Sequence, residues 1–210
     1  MKSELKKLRK DVERVLDAKR YEHTLGVEFT AAALAMRYGA SISDAQIAGL
    51  LHDCAKCLPD EKKISICEKH NISISDVERR NPGLLHAKVG SFLAMEEYEV
   101  TDEQIISAIL NHTTGRPDMQ LLEKILFVAD YIEPGRRTAP HLGELRYLAF
   151  VDLDQTLLWI LEDTLLYLKS SNAMLDPMTE HTYDFYRDLV PVNEKLRSEA
   201  SAYHLSPENA

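Results

Sequence analysis

Leu50-Leu51-His52-Asp53-Cys54-Ala55-Lys56 ends an apolar run on an adjacent histidine and aspartate, with a lysine one helical step further on. Neutral imidazole and carboxylate both suit divalent first-row metals, and a carboxylate has two oxygens with which to bridge two ions. A His-Asp dipeptide taken alone is more often a satisfied structural hydrogen bond. The signal here lies in its company: His23, His86, His112 and Asp130 each sit in, or at the edge of, an apolar segment with helical spacing. Four imidazoles and two carboxylates are enough for two metals.

The segments around this stretch read as helices. Leu5, Leu8, Val12, Val15 and Leu16 recur at three- and four-residue steps between charged residues. About Tyr21 to Tyr38 is alanine-rich and stops at Gly39, with His23 near its start. Ser43-Asp44-Ala45-Gln46 reads as a capping box opening the helix that delivers His52 and Asp53, with Pro59 beyond it. A polar helix from Asp60 to His70 follows, and Ser75-Asp76-Val77-Glu78 reads as a second capping box before the Asn81-Pro82-Gly83 turn.

Leu84 to Met95 carries His86 in its first turns. Thr101-Asp102-Glu103-Gln104 caps a helix ending at His112, and Leu121 to Ile132 is a strongly apolar helix with Asp130 inside it. A buried, unpaired aspartate is expensive, so Asp130 requires a cation or several donors. Gly143 to about Ser171 and Met178 to Tyr203 read as two further helices, and no segment alternates with period two, so the chain is expected to be all-α.

The 210 residues suit one domain with a sizeable core, and 45% hydrophobic with 28% charged residues is ordinary globular composition. A formal charge of −9 argues against a nucleic-acid binder, which needs a basic face, so an anionic substrate must be attracted locally. The apolar runs are broken by charge too often to cross a membrane, and no signal-peptide core follows Met1, which reads as a soluble cytoplasmic protein. Cys54, Cys57 and Cys67 form no disulfide framework. A structural zinc site needs four ligands, so these read as small buried or half-buried side chains.

The order His23, His52-Asp53, His86, His112, Asp130, with Lys56 completing an HDxxK string, resembles the HD-domain metal-dependent phosphohydrolases. More particular strings are Tyr21-Glu22-His23-Thr24-Leu25-Gly26-Val27, His86-Ala87-Lys88-Val89-Gly90, Asn111-His112-Thr113-Thr114-Gly115-Arg116-Pro117 and Ala129-Asp130-Tyr131-Ile132-Glu133-Pro134-Gly135-Arg136. Together they resemble the bacterial YqeK family over roughly Lys19 to Arg137. That resemblance implies a single-domain helical bundle with a di-metal site between its central helices. It also implies symmetrical hydrolysis of diadenosine tetraphosphate to two ADP by a metal-activated water.

By the same resemblance, His23, His52, Asp53 and Asp130 hold one ion, and His86 and His112 hold the other with Asp53 bridging. Iron is the implied metal, with manganese, cobalt or zinc accepted by the same donors. The implied organisation is an N-terminal helix over 1–18 packed on the domain, a metal-binding core over 19–137, completing helices over 138–205 and a frayed tail over 206–210. The apolar C-terminal helices can supply a homodimer face or close the domain.

Asp53, Lys56 and Arg136 are the residues expected to act in catalysis. Lys56, Thr113, Arg116, Glu133 and Arg136 are expected to contact a nucleotide polyphosphate, since ammonium and loop guanidinium groups match phosphate oxygens. The plain alternatives are a solvated lysine, surface salt bridges and, for Glu133, an ion pair with the nearby arginines. Rival activities on the same ligand set are another nucleotide phosphohydrolase, a di-iron oxygenase and a non-catalytic nucleotide sensor.

Overall fold

The computed structural model describes residues 2–171 and 174–204, and among these every regular element is helical. α1 (Lys2–Val15) lies on α2 (Ala18–Tyr38) and α3 (Ile42–Leu51), and α4 (Asp60–Lys69) and α5 (Asp76–Arg80) follow. A 3₁₀ turn at Pro82–Leu85 leads into α6 (His86–Glu96), then α7 (Glu103–Asn111) and α8 (Leu121–Ile132). α9 (Leu142–Leu148), α10 (Leu153–Ser170), α11 (Pro177–Leu189) and α12 (Glu194–Ala200) complete the chain, with α10 packed on α8, α9 and α11. No described helix is long and apolar enough to cross a membrane. The tail expected at 206–210 lies outside the described residues.

α2, α3, α7 and α8 pack around a common core that includes Val27, Leu34, Leu51, Ile109, Ile125 and Val128, all fully buried. α2 and α3 approach closely at Gly49, where an added Cβ would stand 2.7 Å from the Glu28 Cα. Only a residue without a side chain permits that spacing. Glu28 is buried there, held by the Arg9 guanidinium at 2.6 and 2.8 Å and by the Gln46 amide at 2.9 Å.

Several helix ends differ from their sequence reading, each for a local reason. Ser41 caps α3 in place of Ser43, accepting from the Asp44 amide, and Gln46 reaches Glu28 instead of the cap. Asp102 caps α7 in place of Thr101, because its carboxylate takes both the Gln104 and Ile105 amides. The expected 143–171 helix is two helices, since Asp152 caps a new start at Leu153. The expected 178–203 helix breaks near Pro191, which has no N–H to donate, and restarts under the Asn193 cap. The Ser75–Glu78 box forms in both directions as read. Cys54 and Cys67 are buried and Cys57 is exposed, and all three are free thiols.

A buried convergence of imidazoles

Three of the histidines share one local device. His52 follows the end of α3, His86 the end of the 3₁₀ turn and His112 the end of α7, so each lies beside the last carbonyls of a helix, which lack helical partners. Their Nδ1–H groups donate to the carbonyls of Gly49, Gly83 and Ile109, each at 2.7 Å. This places the proton on Nδ1 and turns every Nε2 lone pair toward the protein centre. His23, in the second turn of α2, donates Nδ1–H to Glu133 Oε1 at 3.1 Å and points Nε2 the same way. Glu133 also accepts from the Gly135 amide, and a Cβ at Gly26 would collide with its carboxylate.

The Nε2 atoms meet in pairs, His52 with His23 at 3.4 Å and His86 with His112 at 3.2 Å. Between the pairs lies Asp53, almost fully buried. Its Oδ2 is 3.4 Å from His52 Nε2 and 3.9 Å from His23 Nε2, and its Oδ1 is 3.3 Å from His86 Nε2 and 3.7 Å from His112 Nε2. Asp130 Oδ1 joins the first pair, 3.1 Å from His23 Nε2 and 3.9 Å from His52 Nε2. The sequence-derived donors thus come together as two groups sharing one carboxylate.

Facing lone pairs cannot hydrogen-bond one another. Asp53 Oδ1 accordingly has no hydrogen-bond partner although it is buried, a costly state for a carboxylate oxygen. Donors each about 2.1 Å from one ion stand roughly 3.0–3.4 Å apart, close to most of these separations. The arrangement therefore fits divalent cations by donor type, direction and spacing. Two subsets, His23 with His52 and Asp130, and His52 with Asp53 and His112, each gather three such atoms within a metal's reach.

Electrostatics agree. Burial lowers the His23 imidazolium, yet hydrogen bonds to Asp130 and Glu133 outweigh it and hold the ring up at about 9, a record of the negative potential at this point. Burial would raise the Asp53 and Asp130 carboxyls, but the neighbouring imidazoles keep both well below the usual carboxylate range. His86 behaves oppositely. Burial, then repulsion from His112 and Lys56, push it down to about 3, so its ring is neutral and free to donate a lone pair.

Around the mouth stand the residues expected to meet substrate. Lys56 Nζ lies 3.1 Å from His86 Nε2 and 3.8 Å from Asp53 Oδ1. The Thr113 hydroxyl is 3.2 Å from both His86 and His112 Nε2. Arg136 donates to the Asp130 carbonyl at 2.8 Å and to its carboxylate at 3.2 Å, with its guanidinium over the Tyr131 ring.

Arg116 and Glu133 are engaged elsewhere. The Arg116 guanidinium forms a two-pronged pair with buried Glu123 at 2.7 and 2.8 Å, and Glu133 accepts from the His23 ring. Arg20, which the sequence reading passed over, donates Nη1–H to Asp53 Oδ2 at 2.8 Å. Its only sequence signal is its place three residues before His23, one helical step away.

Residues 20–135 match the HD domain family model. The chain is 44% identical over 176 residues to the Bacillus subtilis (strain 168) protein named bis(5'-nucleosyl)-tetraphosphatase, symmetrical, covering 83% of this chain and 92% of that one. It is 35% identical over 173 residues to a Staphylococcus aureus (strain NCTC 8325 / PS 47) protein of the same name, covering 81% and 88%. It also resembles the crystal structure of a predicted HD superfamily hydrolase involved in NAD metabolism from Clostridium acetobutylicum, with a TM-score of 0.84 and 41% identity, covering 88% of this chain and 97% of that one.

Proposed function

This chain belongs to the HD-domain family, and from that premise we infer that it is a symmetrical bis(5'-nucleosyl)-tetraphosphatase, a hydrolase that cleaves diadenosine tetraphosphate into two ADP. The observation that carries the reading is the orphaned Oδ1 of Asp53, flanked by inward-facing imidazoles in a buried pocket. In our assignment His23, His52, Asp53 and Asp130 would hold one divalent ion, and His86 and His112, with Asp53 shared, would hold the other. When bound, the pair supplies acidification of water toward neutrality and charge neutralisation of the transferring phosphoryl group.

The protein's own groups do the rest. Nδ1 hydrogen bonds to backbone carbonyls fix the His52, His86 and His112 rings in one tautomer before any ligand arrives. Glu133 holds the His23 ring, an outer carboxylate that raises ligand basicity. Lys56 and Arg136, each about one-third exposed, place positive charge at the rim, where a polyphosphate arrives at an otherwise acidic protein. Thr113 offers a hydroxyl beside the His86 and His112 pair.

Iron is the proposed native metal, as a mixed imidazole and carboxylate set suits it, and manganese or cobalt would substitute. A cytoplasmic location, and action without nucleic acid or membrane, are part of the same proposal. The test is product analysis on diadenosine tetraphosphate with protein purified without oxygen and assayed for metal. ADP as sole product, with two metals per chain, is expected. ATP plus AMP as products, or no turnover with iron, manganese or cobalt supplied, would refute it.

A further inference from the structure

We infer that Tyr186, on α11, is a positioning residue for this centre, acting through the loop between α7 and α8 to fix the Thr113 hydroxyl. The inference rests on the tetraphosphatase reading above. Thr113 lies beside the His86 and His112 pair, its hydroxyl 3.2 Å from each Nε2. Those nitrogens are also the donors assigned to an ion, and the hydroxyl has no other partner among the described residues. His112 is held by its own helix through the Ile109 carbonyl. Thr113 has no such tether, so its place is set by the course of the backbone that follows it.

That backbone takes a costly path. Gly115 and Asp118 both have positive φ, +64° and +54°, a conformation free of steric penalty only for glycine. α11 backs the path at two points. The Met119 N–H donates to the Tyr186 hydroxyl at 2.8 Å, and both side chains are buried. One turn earlier on α11, the Thr182 methyl lies against Gly115, 2.7 Å from where a Cβ would stand. The Thr182 hydroxyl is turned away, donating to the Met178 carbonyl at 2.7 Å. Thr182 and Tyr186 are four residues apart and so share one face of the helix, which meets the loop at Gly115 and again at Met119.

The Arg116 pair with Glu123 ties the middle of the loop to α8. The Tyr186 contact adds what that pair does not, an acceptor for a buried backbone N–H that has no alternative among the described residues. Tyr186 is itself a rigid peg. Its fully buried ring packs edge-on against Phe185 at 5.2 Å and lies under the Lys124 ammonium, which is paired with Asp154 at 2.7 Å. α11 spans Pro177–Leu189, beyond the 19–137 core expected from the sequence, so a C-terminal helix shapes the centre without touching it.

Tyr186→Phe, Thr113→Val and the double variant test this, metal-loaded by kcat/KM on diadenosine tetraphosphate and metal-free by amide hydrogen exchange. Tyr186→Phe keeps the ring and removes only the acceptor. It is expected to lower kcat/KM about 10- to 100-fold with metal content unchanged, and to speed exchange about 10- to 100-fold across residues 113–119 alone. Thr113→Val should lose at least as much, and the double variant no more than Thr113→Val, because one residue acts through the other. Losses that multiply in the double variant would overturn the inference, as would wild-type kcat/KM in Tyr186→Phe. Faster exchange spread over the whole chain would also overturn it, making Tyr186 a general prop of the core. Were the wild type to lack tetraphosphatase turnover, the functional reading would fall, while exchange in the metal-free protein would still decide whether Tyr186 holds this loop.

Discussion

Glu123 and Asp53 are both buried carboxylates in the helical core, and they are treated in opposite ways. Glu123 accepts from Ser107, Asn111, Arg116 and the Gln120 amide, so both of its oxygens are satisfied by the protein. Asp53 has one oxygen with no hydrogen-bond partner, faced by imidazole nitrogens that carry no proton to give. A complete network holds a fold together and needs nothing further. An incomplete one, built from groups that only accept, is a place kept for a cation. The contrast separates framework from centre where burial and residue type alone do not.

The contrast is broken most severely at Asp53 itself. Asp53→Ala is expected to lower turnover about 10³-fold or more, with metal content falling together. Full turnover with metal retained would end the proposal. Glu123→Ala should do the reverse, destabilising the fold by about 1–3 kcal/mol by leaving the donors around it unpaired, while the protein that remains folded keeps its metals and its kcat. Denaturant titration alongside metal analysis separates the two.

Glu133→Gln sharpens the comparison from the edge of the centre. It leaves the fold intact, but a neutral amide holds the His23 ring less well, so metal affinity should fall about 10- to 100-fold, read by competition with a chelator. Unchanged affinity would assign Glu133 to structure alone. The smallest effect concerns pH. Burial raises the Glu123 carboxyl, but the Arg116, Gln120 and Ser107 contacts outweigh it and leave it lowered. Its contribution is therefore present above the unfolded carboxylate range and is lost as pH falls through the folded value. Wild type should lose more denaturant resistance than Glu123→Gln between about pH 7 and about pH 3; equal losses would show that the network is not ionic.

The donor set was legible because its members break a pattern. Asp130 is a lone carboxylate in an apolar helix, and His52, His86 and His112 close apolar runs, so each needed an explanation that a surface residue does not. Glu133 and Arg116 were harder. Glu133 binds a histidine 110 positions away, and the Glu123 that holds Arg116 looks like an ordinary first-turn acid of α8. Arg20 was hidden beside Lys19 in a charged stretch that reads as solvent-facing. Helix identity followed from periodicity, whereas the break before α10 came from the Asp152 cap, which spacing does not resolve, and the break before α12 from Pro191.

Gly49 sets a gauge at one remove from the chemistry. It lets α2 and α3 touch backbone to backbone, and its own carbonyl fixes the His52 ring. A single methyl group there would act as a wedge between the struts bearing His23 and His52, widening the bite of the pocket without altering any donor. The separation of those two imidazoles is thus governed in part by a residue that has no side chain.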